Sequence, residues 1–332
     1  MHEKKYDVVA LSAICVDIQI MADESVLKKH KLQKGFTNAV NAKSIERLTK
    51  GTQGLKTTGS PGGNVTAGIA LRGGASALIG KIANDNNGKF FAARASAHGI
   101  AYTPVISTNA KTVTTCAVIV TTPDKERSFA FISGAGLELT PEDVDHTLIA
   151  KAKITYLDSY LWLSASGKDS VHHAAALAKK SGSKVAIALN DANVVERNSA
   201  AFLALARSHG DILLGDQREF MKLFGTSTME ETVQAIHALG CIAAITAGAQ
   251  GAYVVYDGIV THIPANKVAN IVDTNGAGDQ FAAGFLYGLA QGKSVPDAAR
   301  QGASWASDII QHMGAEPKVG KNAAPSFSAP KP

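Results

Sequence analysis

The sequence predicts an α/β fold: a doubly wound, mostly parallel sheet with helices on both faces and a small β element beside it. Three observations carry that prediction. From Glu142 onward, apolar runs of strand length mostly alternate with helical stretches, the pattern of a parallel sheet covered on both sides. Two β-rich runs, residues 115–122 and 127–132, flank the polar tip Pro123-Asp124-Lys125-Glu126, so a hairpin interrupts the alternation and folds over one face. Finally, 31 glycines against 10 prolines suit many tight turns, and 45% hydrophobic residues in 332 supply an ample core.

In chain order, residues 6–13 form an apolar strand, and residues 14–21 continue it with Asp17 set among Val16, Ile18 and Ile20. An acid there either faces water from an edge strand or holds substrate hydroxyls; the residues alone leave both open. Residues 27–40 are basic and turn-rich, an excursion from the main sheet. Ser60-Pro61-Gly62-Gly63-Asn64 precedes the helix-compatible run 65–71. Adjacent glycines before a helix either let backbone approach a ligand or form a plain loop. Lys81 and Asp85 read as structural. Strands follow at 154–157, 185–189, 212–214, 243–245 and 253–256, with helices at 170–180, 200–208 and 229–239. Ligands of such sheets bind beyond the carboxyl ends of strands, which places Asn190-Asp191, Asp216 and Gly248 on the binding side.

The chemistry concentrates in residues 270–284. Asn270-Ile271-Val272 reads as the end of an apolar strand, Gly276 and Gly278 as a turn, and the remainder as a helix whose apolar face is Phe281, Phe285, Leu286 and Leu289. The first N–H groups of a helix lack intrahelical partners and carry partial positive charge, so phosphate docks there on backbone alone. Asp279 sits at the mouth of that hole. It is either an acid favoured by the helix dipole or a base that takes a proton from an attacking hydroxyl. A dinucleotide fingerprint is the rival reading, but that motif belongs to the first βαβ unit, and this one lies near the C-terminus.

Asp273-Thr274-Asn275-Gly276-Ala277-Gly278-Asp279 resembles the Asp-Thr-x-Gly-Ala-Gly-Asp signature of the ribokinase-like (PfkB-type) carbohydrate and nucleoside kinases. Other stretches resemble the adenosine-kinase-like members, from Cys15-Val16-Asp17-Ile18 through the 116–127 run to Ala303–Pro317. The resemblance implies one kinase domain over residues 1–317 with a β lid from about 17–45 and 101–134. It implies ATP as co-substrate, Mg²⁺, and for many members K⁺. By residue, it implies an anion hole at Asn275, Gly276, Ala277 and Gly278, with Asp279 as base. Asp17, Gly62, Gly63 and Asn64 would hold substrate hydroxyls. Leu214-Gly215-Asp216-Gln217-Arg218-Glu219 resembles the family's Asn-x-x-Glu element, so Glu219 and Asp216 would organise Mg²⁺ through water. Thr246, Gly248 and Gly251 resemble the nucleotide loop, joined in nucleotide binding by Thr274 and Ser307, and Asp273 would order the anion-hole loop around a monovalent cation. Three positions depart from the pattern: Ala13 and Ala67 where Asn is usual, and Asp216 where Asn is usual.

The formal net charge of +5 is mild and its Lys and Arg are scattered, which argues against a nucleic-acid surface and suits an anionic co-substrate. Cys15, Cys116 and Cys241 show no zinc or disulfide spacing and read as reduced core thiols of a cytoplasmic protein. The first residues are charged and run into a strand, and no apolar run reaches membrane-spanning length. A monomer or homodimer is expected, with a disordered tail at 318–332. Phosphorylation of a nucleoside or sugar hydroxyl is the function expected; a free-sugar kinase, a binding relative without catalysis and a dehydrogenase are the alternatives.

Overall fold

The computed structural model describes residues 3–52 and 54–318, so most of the tail expected to be disordered lies outside the described residues. The chain opens with β1 (Tyr6–Leu11) in the main sheet. It then breaks at residues 12–15 and enters a second sheet as β2 (Val16–Met21). The expected continuous strand is therefore two strands in two layers. Residues 27–40 do leave the main sheet, carrying the end of α1 (Glu24–Lys29) and β3 (Thr37–Ala39); α2 (Ala42–Thr49) and β4 (Leu55–Thr58) follow. The return passes through α3 (Pro61–Ala70), β5 (Ser76–Ile79), β6 (Lys81–Ile82), α4 (Asn86–Ala97), β7 (Ala101–Tyr102) and β8 (Val105–Ile106). The hairpin β9 (Cys116–Thr121) and β10 (Arg127–Ile132) then completes the second sheet, in the order β3-β10-β9-β2-β4. Its strands thus lie within 16–58 and 116–132, against the 17–45 and 101–134 expected for the lid.

The rest of the chain alternates as predicted: α5 (His146–Ala150), β11 (Ala152–Asp158), α6 (Ala165–Lys180), β12 (Lys184–Ala188), α7 (Ala192–His209), β13 (Ile212–Asp216), α8 (Gln217–Phe224), α9 (Met229–Leu239) and β14 (Ile242–Thr246). Two antiparallel strands follow, β15 (Ala252–Tyr256) and β16 (Ile259–Ile263), then α10 (Ala277–Ala290) and α11 (Val295–Ile309). The main sheet runs β16-β15-β14-β13-β12-β11-β1-β5-β7 and is parallel from β14 to β7.

Strand alternation divides the core. Val9 and Leu11 of β1 belong to the core layer that includes α5 to α9, whereas Val8 and Ala10 belong to the layer that includes α3, α4, α10 and α11. A third cluster, including Ile20, Leu27, Leu48, Val118 and Val120, lies between the second sheet and α1 and α2. Those two helices cover one face of the second sheet, leaving its other face to the main domain.

One expectation fails beside the signature. Residues 270–272 form no strand: the Val272 N–H donates to the Ile310 carbonyl, and Ile271 and Val272 are 58% and 55% exposed. The sheet already ends at β16, so these residues have no strand to pair with and lean on the end of α11 instead. No described helix is long and apolar enough to cross a membrane.

Candidate active site

A cavity of about 950 Å³ opens between the carboxyl ends of the main strands and the free face of the second sheet. Tyr156, Ala188, Leu214 and Ala244 line it from the main sheet. The strand register puts three rows on the facing side: Asp17-Ala117-Phe131, then Gln19-Ile119-Phe129, then Met21-Thr121-Arg127. Asp17, Ala117, Ile119, Phe129, Phe131 and Arg127 all line the cavity. Asp17 lies on β2, which is interior to its sheet, so the edge-strand reading falls.

At the other wall, the loop before α10 turns at Gly276, φ +77°, where a β-carbon would lie 2.4 Å from that of Ala315. Only glycine fits both the angle and the contact. Gly276 is the N-cap and has no side chain to cap the helix, and the N–H groups of Gly278 and Asp279 meet no acceptor among the described residues. Two donors and the helix dipole are thus presented to the cavity.

Asp279 is half-buried in the first turn of α10, and its Oδ2 accepts from Asn64 Nδ2 at 2.8 Å. Burial pushes its carboxyl above the usual range, while the Asn64 hydrogen bond pulls it back. Asn64 is 5% exposed and sits in the first turns of α3; its Oδ1 has no donor among the described residues. The Gln280 amide donates to the Asn64 backbone carbonyl at 3.0 Å, so α3 and α10 are fixed to each other next to Asp279.

Asp17 approaches from the second sheet. The Cys15 thiol lies 3.6 Å from its Oδ1, and a β-carbon on Gly59 would come within 2.3 Å of the carboxylate. Burial raises its pKa to about 7, the Cys15 hydrogen bond lowers it, and Asp279 and Glu316 add repulsion. Below the cavity, buried Asp158 accepts from the Ser12 hydroxyl at 2.5 Å, the Tyr160 N–H at 2.9 Å and Asn190 Nδ2 at 3.0 Å. Its pKa is pushed to about 6, by burial first.

Asp216 caps α8. Its Oδ1 accepts from the Glu219 N–H at 2.7 Å and Glu219 Oε2 accepts from the Asp216 N–H at 2.8 Å. Each carboxylate keeps one oxygen without a partner among the described residues, and both residues line the cavity. Burial raises Glu219 to about 7, with Asp216 adding to it. Two acids with open oxygens suit a Mg²⁺ that retains waters and phosphate oxygens.

The structure gathers Asp17, Asn64, Asp216, Glu219, Thr246, Thr274, Asn275, Gly276, Ala277, Gly278 and Asp279 around one cavity. Gly62, Gly63, Gly248, Gly251 and Ser307 do not line it. The glycine pair lies inside the first turn of α3 rather than before it; a β-carbon at Gly62 would strike Ser12 at 2.5 Å, so close packing requires that glycine. Ser307 bonds to the Ser304 carbonyl and to Asn266. Asp273 orders its loop by accepting from the Asn275 N–H at 2.9 Å. Residues not anticipated are Phe129, Phe131, Tyr160, Arg197 and Ser60, a cavity residue held at φ +75°. The alternation of Phe129 and Phe131 on β10 was the available signal for the first two.

The expected reduced thiols are all free and buried. The family model for pfkB carbohydrate kinases matches residues 37–321. The 5-dehydro-2-deoxygluconokinase of Bacillus licheniformis is 26% identical over 340 residues, covering 95% of this chain and 93% of that protein. Among solved structures, a probable sugar kinase from Rhizobium etli CFN 42 superposes with a TM-score of 0.85 at 33% identity, covering 95% of this chain and 96% of that one. The adenosine kinase from Sinorhizobium meliloti gives 0.86 at 33% identity, covering 95% and 97%. With its ribokinase-like sheet and a family match over most of its length, the chain belongs to the PfkB family of carbohydrate kinases.

Proposed function

We propose that the protein transfers the γ-phosphoryl group of ATP to a primary hydroxyl of a nucleoside. The observation that carries this reading is the pairing of Asp279, held by Asn64, with the unpartnered N–H groups at the start of α10. Asp279 takes the proton of the acceptor hydroxyl, whose oxygen attacks the γ-phosphorus as the bond to ADP breaks. The N–H groups of Gly278 and Asp279 hold the transferring phosphoryl oxygens, and α10 directs its positive end there. Asp17 accepts from acceptor hydroxyls. Glu219 and Asp216 would hold Mg²⁺ through water, and the metal supplies charge neutralisation on the nucleotide phosphates.

The nucleoside is favoured by the facing wall. A planar base covers more of the apolar surface of Ile119, Phe129 and Phe131 than the small C–H face of a free sugar does. A second reading, a sugar acid, is favoured by Arg127 and Arg197, two cavity cations without a hydrogen bond to any described side chain other than the distant approach of Arg127 to Asp273. It also accords with the name of the Bacillus relative. ADP release measured with adenosine, other nucleosides, ribose, fructose and 5-dehydro-2-deoxygluconate separates the readings. Adenosine as the best acceptor supports the proposal, and the sugar acid as best acceptor replaces it with the second. Stabilisation by nucleoside without ADP release from any acceptor would mark a binding relative that has lost catalysis.

A further inference from the structure

Gln280, the residue after Asp279, is fully buried, and its side-chain amide bonds to three separate parts of the chain. Its Nε2 donates to the Asn64 backbone carbonyl at 3.0 Å and to the Ala315 carbonyl at 3.2 Å, and its Oε1 accepts from Arg72 Nη1 at 3.0 Å. Asn64 holds Asp279, and Ala315 is the residue against which Gly276 turns. The Gln280 N–H donates to the Gly276 carbonyl at 2.8 Å and closes the first turn of α10. Asn64, Gly68 and Arg72 fall four residues apart, in one row along α3 and the turn that ends it. Gly68 makes room for the amide: a β-carbon there would lie 2.5 Å from Gln280 Oε1. Arg72 is held in turn by α11, with Nη2 at 2.6 Å from Asp308 Oδ2 and the guanidinium 4.4 Å over the Trp305 ring. A guanidinium has only donors, so it fixes the amide with Oε1 towards Arg72 and both N–H groups towards the two carbonyls.

We infer, on the kinase reading and deepening it, that Gln280 is a positioning residue: one buried amide, oriented by Arg72, sets both the Asn64 that holds the base and the Gly276 turn that presents the N–H donors. An apolar side chain could fill the same space without the cost of burying an amide. Packing alone fixes no direction, whereas hydrogen bonds are directional and hold the Asn64 and Ala315 backbones in one orientation to α10. Base and donors therefore keep their places relative to each other. A displacement of about 1 Å between them costs up to about 100-fold in rate.

The test compares wild type with Gln280→Met, which keeps the length of the side chain and removes its hydrogen bonds, and with Arg72→Met, which frees the amide to turn over. In Gln280→Met kcat should fall about 10- to 100-fold, and in Arg72→Met about 3- to 10-fold, with the KM for ATP little changed in both. Two readouts separate positioning from a loss of structure. The acid limb of the kcat profile should move to higher pH, because a displaced Asn64 no longer favours the ionised form of Asp279; adding Gln280→Met to Asn64→Leu should move it no further. Independently of turnover, the extra thermal stabilisation that aluminium fluoride adds to ADP should shrink in both variants, while stabilisation by ADP alone persists. An active wild type matched by Gln280→Met overturns the inference. So does a loss equal at every pH with the aluminium fluoride increment intact, which assigns Gln280 to the core alone. Should Gln280→Met fail to fold, Arg72→Met decides by the same two readouts. A wild type that neither binds ADP nor releases it from ATP overturns the kinase reading, and the inference with it.

Discussion

The two ends of the cleft are built in opposite ways. At the proposed anion end, seven consecutive residues from Asp273 to Asp279 supply the loop acid, the turn, the free N–H donors and the proposed base. At the proposed acceptor end, Asn64 and Tyr160 from the main domain meet Asp17 and Phe129 of the second sheet, four residues from four separate segments. A local device survives changes elsewhere in the chain, whereas an assembled one can be re-specified by a single loop. The relatives this chain resembles over most of its length carry names as different as adenosine kinase and 5-dehydro-2-deoxygluconokinase.

The sharpest break of that contrast is Asp279→Asn. It keeps the N–H donors and the shape of the first turn but removes the proton acceptor, so kcat should fall by about 10²- to 10⁴-fold while ATP still binds. Single-turnover phosphoryl transfer with nucleotide titration checks both parts, and unimpaired transfer removes Asp279 from its role. Asn64→Leu comes next, because Asn64 links the two ends. Its hydrogen bond favours the ionised form of Asp279, so without it the base titrates higher. Turnover at neutral pH should drop about 10-fold, and the acid limb of the kcat profile should move to higher pH, the deficit shrinking as pH rises. A uniform loss at every pH would mean that Asn64 acts on the substrate alone.

The same contrast explains what the sequence disclosed. The signature was legible as a string, and the parallel sheet as an alternation, because each depends on neighbours in the chain. The break at residues 12–15 was not legible: Val16 to Met21 has the same apolar character as β1, and only the pairing of β2 with β4 and β9 puts it in another layer. Gly62 showed its backbone freedom but not its use, which is contact with Ser12 fifty residues away. The capping bonds between Asp216 and Glu219 were hidden for a different reason, since two acids three apart look alike whether they cap a helix or face a metal.

A smaller effect tests the acceptor end alone. Phe129→Ala removes an aromatic ring from the facing wall without touching the anion hole, so the KM for a nucleoside should rise about 5- to 10-fold while that for ribose stays level. Equal losses for both acceptors would show the ring supporting the sheet instead of a base.

The smallest expected effect is on stability, and it separates the two ends by charge. Asp17 titrates at about 7 in the folded protein against an ordinary 3.8, because burial and the nearby acids disfavour its ionised form. Between those values the folded state holds a proton that the unfolded chain has released. The group therefore favours folding fully below about pH 4, and that contribution is lost as pH rises through 7. Asp17→Asn removes the charge, so the variant should be more stable than wild type at pH 8, on the order of 1–2 kcal/mol, with the difference closing towards pH 4. Thermal melts of the ligand-free protein across that range give the comparison directly. Parallel curves would mean that Asp17 is well solvated before substrate arrives, and that the acceptor end is desolvated only by the substrate it binds.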